Sequence, residues 1–378
     1  RYYPNFSGVL RSLNYYPIGD EKAEEGIASL ALGLGKYIVD GGQTLRVSPY
    51  HPHQVLQTSE LETALRQTQT RFYALDTRHV GNDFTVDDGF NILNLRVKEA
   101  ERDNALSYIA STYDPYDNVI RDGMYDGGRK VISFAGVLQQ DVFPLPELLQ
   151  MSMKYGAESM RRPVEIEFAC NLNEDRTGQF YLLQIRPIVD SKQMLEEDVA
   201  AIPDEDCLVR SHNSLGHGVS EDVTDVVYVK ADDNFSAAEN PTIAREIEKI
   251  NSGYLDRGQG YVLVGPGRWG SSDSWLGIPI KWPHISAARV IVEVALKNYR
   301  VDPSQGTHFF QNLTSFGVGY FTVDENRNEG VFHKAMLDAM PAVEETEHVR
   351  VVRFSKPLRI LMDGKKQEGA VVPVCRPS

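Results

Sequence analysis

Residues 162–169, Arg162-Pro163-Val164-Glu165-Ile166-Glu167-Phe168-Ala169, and residues 181–187, Tyr181-Leu182-Leu183-Gln184-Ile185-Arg186-Pro187, decide how this chain is read. Val164 to Ala169 and Phe180 to Ile185 are two strand-like runs joined by a polar connection, Asn171 to Gln179, rich in Asn, Asp and Gly. That pattern predicts a β-hairpin with a loop longer than the usual two to five residues. Side chains alternate along a strand, so Glu165 and Glu167 share one face, and Gln184 and Arg186 share one face of the returning strand. Pairing the strands would gather two carboxylates, an amide oxygen and a guanidinium on one patch. Val164, Ile166 and Phe168, with Leu183 and Ile185, would then turn into a core. Two readings fit this patch. Hard oxygen ligands suit Mg²⁺, which takes one or two carboxylates plus phosphate oxygens and water, and an adjacent Arg suits a transferring phosphoryl group. The same alternation also describes a solvated polar face with cross-strand Glu–Arg pairs.

Upstream, Pro146 sits where a first-turn proline belongs, and Leu149, Met153, Ala157 and Met160 recur at helical spacing until Pro163 stops them. Further strand-like runs are Ser7 to Tyr16, Asn91 to Val97 and Leu106 to Tyr113, with charged Lys98 to Arg102 between the second and third, and Lys130 to Val137 is another apolar run. Gly26 to Val39 reads as a buried strand turning into a helix start around Gly33 and Gly35. Downstream, Ser191 to Asp206 is polar and acidic and reads as a linker. Beyond it, Asp225 to Val229 is a strand, and Asn240-Pro241 opens a helix with Ile243, Ile247 and Ile250 on one face, ended by Gly253. Gly260 to Val264, Ala287 to Val294, Gly317 to Val323, Val349 to Phe354 and Leu358 to Met362 complete a strand-rich second part. The fold class is mixed α/β (α+β), with a first domain over 1–190, a linker over 191–206 and a second domain over 207–378.

Composition narrows the function classes. The chain has 378 residues, with 39 Lys+Arg against 53 Asp+Glu and a net charge of −14. That balance argues against a protein that grips nucleic acid through its phosphates, but not against a nucleotide site that borrows positive charge from a metal. No run approaches the ~18 consecutive apolar residues of a membrane helix. The cysteines Cys170, Cys207 and Cys375 are widely spaced and form neither a metal-ligand pair nor a disulfide framework, so a reducing, cytoplasmic setting is expected. Arg1 opens the chain in what reads as mid-domain material, so a fragment of a longer protein is expected.

The hairpin resembles the closing motif of the nucleotide-binding domain of the phosphoenolpyruvate synthase and pyruvate phosphate dikinase family, an ATP-grasp variant. Ser7-Gly8-Val9, the Pro17-to-Gly19 turn, and Gly33-Leu34-Gly35 followed by Gly41 and Pro49 extend the likeness over about residues 5–190. The resemblance implies ATP and Mg²⁺ as cofactors. It makes Glu167 and Gln184 metal ligands with Glu165 beside them, lets Arg186 contact the nucleotide phosphates, and brings the backbone of Gly33 and Gly35 close to the cleft. A tight turn without a ligand is the other reading of those glycines. This sequence departs from the family where Asn14-Tyr15-Tyr16 stands in place of the usual acidic residue, where Glu165 replaces the commoner Asp, and in its longer hairpin loop.

The resemblance further implies an ATP-dependent phosphotransferase of kinase or dikinase type in the full-length protein. Pyruvate or phosphoenolpyruvate would be engaged through domains outside this chain, as would the Lys and Arg of the other half of the ATP site. Neither nucleic acid nor a membrane is an expected partner; a homo-oligomer is compatible. Its second domain would be a swivelling type carrying phosphate on a histidine, for which His308 in Gly306-Thr307-His308 and the opening Leu215-Gly216-His217-Gly218 stand as candidates. Phe309 and Thr314 depart from that motif, which favours the other reading, a degenerate domain with a structural His308. A non-catalytic nucleotide-binding module and an ATP-grasp carboxylate ligase remain alternatives. Gly265-Pro266-Gly267-Arg268-Trp269-Gly270 has the spacing of a dinucleotide fingerprint, but loop residues follow it instead of a helix. It reads as a structured turn that faces a ligand through Arg268 and Trp269.

Overall fold

The computed structural model describes residues 1–79, 89, 91–188, 198–232, 235–271, 273–296, 299, 313 and 317–374. Two compact units emerge, one of Arg1–Asn14 with Glu21–Val189 and the other of Tyr15–Asp20 with Asp190–Ser378. The architecture is mixed and strand-rich.

Unit 1 contains β1 (Phe6–Arg11), β2 (Ile27–Ala31), β3 (Leu45–Val47), β4 (Arg71–Leu75), β5 (Ile92–Arg96), β6 (Ala110–Asp114), β7 (Val119–Asp122), β8 (Arg129–Ile132), β9 (Val164–Leu172) and β10 (Gly178–Pro187). Five of these form an antiparallel sheet in the order β10-β9-β1-β2-β3. Its inner face is apolar because every second residue is: Phe6 and Leu10, Ala28 and Leu30, and Val164, Ile166 and Phe168 all lie in one buried cluster. The helix Leu145–Met160 adds Leu149 and Met153 to that cluster, begins at a first-turn proline, and closes on Arg161 in the left-handed conformation. Gly8 is required where β1 passes β9: a Cβ there would lie 2.1 Å from the Phe168 ring. The charged stretch between the second and third predicted strands is itself a short helix, Val97–Arg102, because Val97 and Ala100 supply a buried side. The first strand stops at Arg11, well short of Tyr16, and the Asn14 N–H turns to the Ala23 carbonyl.

Unit 2 contains β11 (Val209–Ser211), β12 (Ser214–Leu215), β13 (Gly218–Val229), β14 (Tyr261–Pro266), β15 (Arg268–Trp269), β16 (Gly277–Ile278), β17 (Ala288–Val294), β18 (Gly319–Val323), β19 (Gly330–Phe332), β20 (Ala342–Glu345), β21 (Val349–Asp363) and β22 (Glu368–Val372). The large sheet runs β12-β18-β17-β14-β13-β21-β22-β11-β19, with β20 paired to β21. Strands β18, β17, β14 and β13 are mutually parallel, and the helix Asn240–Arg257 carries the chain from β13 to β14, as a parallel pair demands. That helix passes through Gly253 and ends at Gly258, whose φ of 62° gives the left-handed cap. The two strands expected over Val349 to Met362 are one strand, β21, bridging Pro357. Residues 198–206 are packed: Val199 is buried, and its carbonyl accepts from the Arg210 guanidinium at 2.6 Å.

Among the described residues no helix opens after the glycine motif, and its turn leads into β15, paired parallel with β16. Trp269 does not face a ligand. It is fully buried, donates Nε1–H to the Val292 carbonyl at 3.1 Å, and its backbone N–H donates to Glu293 Oε1 at 3.0 Å. An indole finds such partners when buried, which is why the aromatic turned inward. His308, Thr307 and Phe309 lie outside the described residues. No helix among the described residues is long and apolar enough to cross a membrane.

Candidate functional site

The site candidates sit on the outer face of the five-stranded sheet, and an irregularity in β10 puts them there. From the turn, β10 pairs regularly with β9 down to Leu182 opposite Phe168. Continuing that register would set Gln184 opposite Ile166 and Arg186 opposite Val164, both on the core face. Instead a bulge falls between Leu182 and Gln184, after which Gln184 stands opposite Glu167 and Arg186 opposite Glu165. Bulges re-aim side chains in this way. The cost falls on Leu183, which is 60% exposed instead of entering the core as its alternation suggested. The connecting loop is also tighter than expected. β9 extends to Leu172 and β10 starts at Gly178, leaving residues 173–177, closed by an Asn173 N–H to Thr177 carbonyl bond and by Asp175 accepting from Thr177.

Two cross-strand rows result. In one, Arg11 of β1, Glu165 of β9 and Arg186 of β10 are aligned; in the other, Val9, Glu167 and Gln184. Directly opposed residues have Cβ atoms about 4.5–5.5 Å apart, so each row is in mutual reach. Glu165 is buried, and each of its oxygens is taken by a different arginine. Arg11 Nε–H donates to Oε2 at 2.7 Å, while Arg186 Nε–H donates to Oε1 at 2.9 Å and its terminal nitrogen bonds the same oxygen. Burial alone would push this carboxyl up, but the Arg186 hydrogen bonds and the nearby Arg11 charge outweigh it and hold Glu165 below its ordinary value. The pair correspondingly raises Arg186.

A carboxylate held below its ordinary pKa of 4.5 adds stability that is complete above about pH 4.5 and is lost as pH falls further. Thermal unfolding followed from pH 6 to pH 3 should therefore show a shallower acid limb in Glu165→Gln than in the parent protein; equal slopes would refute the assignment.

Glu165 thus has no oxygen to spare for a metal, whereas its neighbours in the second row do not share that pairing. Glu167 is half-buried and Gln184 exposed on the same face. One carboxylate oxygen beside one amide oxygen, open to solvent, fits the donor set of a hard divalent cation that keeps water and phosphate ligands. The row continues across the sheet through Ser29, opposite Val9, to Arg46, opposite Ser29. Arg46 donates to Asn14 Oδ1 at 2.5 Å, and buried Asn14 donates to Glu21 Oε2 at 2.9 Å. Three arginines and two glutamates therefore share this face of a strongly acidic chain. Arg11 and Arg46 escaped the sequence reading. Arg11 follows Val9 at the two-residue spacing, but its meeting with Glu165 spans 154 positions and depends on register.

Gly33 and Gly35 occupy the turn after β2. Gly33 has φ 87°, and a Cβ there would lie 2.6 Å from the Tyr73 carbonyl oxygen; its own carbonyl accepts from the Ser7 hydroxyl at 2.7 Å. That conformation and close approach account for Gly33 without a ligand. Gly35 opens the four-residue helix Lys36–Val39.

An antiparallel sheet with a helix-covered inner face and an arginine-bearing polar outer face defines an α+β domain. Residues 2–206 match the family described as the pyruvate phosphate dikinase AMP/ATP-binding domain, and the chain belongs to that family. The match supports ATP binding. No curated protein matches the chain.

Proposed function

We propose that the outer face of unit 1 binds the phosphates of Mg·ATP for phosphoryl transfer, as one wall of an ATP-grasp-like site. The observation that carries this reading is the bulge at Leu183, which brings Gln184 and Arg186 onto the face of Glu165 and Glu167. Glu167 and Gln184 would hold Mg²⁺, which when bound neutralises charge on the phosphate oxygens. Arg186, 55% exposed and kept in plane by Glu165, would donate to the oxygens of the transferred group, where a planar fork is worth more than a point charge. Glu165 orients that fork. Unit 2 would follow as a swivelling-type domain, and pyruvate or phosphoenolpyruvate would be met through further domains.

A non-catalytic nucleotide-binding module is favoured by one observation: Asn14, where the resembled family has an acid, is buried and tied to Arg46 and Glu21. Incubation with β- and γ-labelled ATP separates the two readings, since only the phosphotransferase retains acid-labile label on a histidine.

For binding itself, calorimetric titration with Mg·ATP is the test. Glu167→Ala should weaken affinity roughly tenfold or more and remove its dependence on Mg²⁺, as loss of a metal ligand does. Unchanged affinity in both Glu167→Ala and Gln184→Ala would sink the assignment.

A further inference from the structure

The row Arg11–Glu165–Arg186 holds more positive charge than a buried glutamate needs. Glu165 lies on the middle strand with its carboxylate buried, while the two arginines reach it from the flanking strands and keep 54% and 55% of their side chains exposed. One guanidinium already bonds Oε1 through two nitrogens, and that alone makes a charge-neutral pair. A second guanidinium on Oε2, at 2.7 Å, brings the row to a net charge of +1. Arg11 therefore satisfies Oε2 of a buried carboxylate while its own guanidinium stays half-exposed at the surface of the sheet. Two like charges held against one carboxylate leave a surplus at the surface of the sheet, and an anion laid over the row would balance it.

We propose that Arg11 is a positioning residue for the phosphate site: by occupying Oε2 of Glu165 it cancels the buried carboxylate's charge and leaves the charge of Arg186 for a phosphate oxygen. This rests on the reading of the face as a nucleotide-phosphate site. It also assigns Glu165 the part of a neutralised strut, holding both guanidinium groups, with no place on the metal. Without Arg11 an incoming phosphate would meet a neutral Glu165–Arg186 pair whose negative end lies one residue-width away. The effect works through charge balance, which makes it separable from packing by restoring the balance in another way.

The experiment is a calorimetric Mg·ATP titration of the full-length protein, with both walls of the ATP site, and of four variants, each checked by thermal unfolding. Arg11→Met should bind roughly tenfold more weakly, the size seen when a charge beside a site is unbalanced. Arg11→Lys keeps the charge and should stay within about threefold of the parent. Glu165→Gln keeps an oxygen that accepts from a guanidinium and raises the row to +2, so its binding should show a steeper salt dependence than the parent's. The double variant Arg11→Met/Glu165→Gln returns the row to +1 and should recover affinity to within about threefold, a coupling that a double-mutant cycle reads directly. A merely structural Arg11 would lower the unfolding temperature without this recovery. Three outcomes overturn the inference: Arg11→Met binding like the parent, a double variant no better than Arg11→Met, or Glu165→Gln showing the parent's salt dependence. If the parent protein with both walls of the ATP site present binds no Mg·ATP, the proposed function falls, a result distinct from any of these.

Discussion

Arg186→Met is expected to weaken Mg·ATP binding by about a hundredfold while leaving the fold nearly intact. Hydrogen bonds from a charged donor contribute about 1.5–3 kcal/mol each, so losing one such bond to a phosphate oxygen is a factor of about ten to two hundred. The loss is not confined to that bond. Removing Arg186 leaves Glu165 opposite Arg11 alone, a neutral pair, so the approaching phosphate loses the net attraction of the row. Stability should change little, because Glu165 keeps the Arg11 bond to Oε2 and is not left as an uncompensated buried charge. Arg186→Lys should recover part of the affinity only, since an ammonium restores charge but cannot bond Oε1 through two nitrogens and still face outward. Calorimetry and thermal unfolding on the same preparations check both halves; parent-like affinity in Arg186→Met would remove the residue from the site.

Trp269→Ala is expected to destabilise unit 2 by about 3–5 kcal/mol, the range for truncating a buried aromatic to alanine. The indole is fully buried among Ile278, Ile291 and the other residues of its cluster, and its N–H is paired with the Val292 carbonyl. Truncation would open a cavity against Gly265, whose missing side chain is what lets the ring lie there: a Cβ would be 2.4 Å from the ring. It would also leave that carbonyl without its donor. Chemical denaturation should show an earlier transition together with loss of the blue-shifted part of the tryptophan emission. A variant with unchanged stability and weakened ligand binding would instead restore the ligand-facing reading of this turn.

Legibility followed the range of the interactions. The hairpin around Glu165 and Gln184 and the helix Leu145–Met160 were readable because period-two and period-four patterns are local. The face that Glu165, Glu167, Gln184 and Arg186 share was readable within each strand, but the bulge that puts the two strands' faces together was not. It displaces Leu183, an apolar residue whose alternation pointed inward, and nothing local marks it. Arg11 was invisible for the same reason, since only the β1–β9 register sets it against Glu165. Gly253 looked like a helix stop because a glycine there is common, yet the apolar stripe continues to Tyr254 and the helix runs on until Gly258 takes the left-handed cap. Trp269 was read as facing a ligand from its place in a glycine-rich turn; Gly265 is instead what makes room for its ring in the core.

The most direct measurement is crystallographic: crystals grown with Mn²⁺ and a non-hydrolysable ATP analogue, examined by anomalous scattering. The account predicts a manganese peak bridging the Glu167 carboxylate and the Gln184 amide oxygen at roughly 2.0–2.3 Å from each, with phosphate oxygens between the ion and Arg186. A manganese–nucleotide peak anywhere else on the chain, with Glu167 and Gln184 bare, would contradict it.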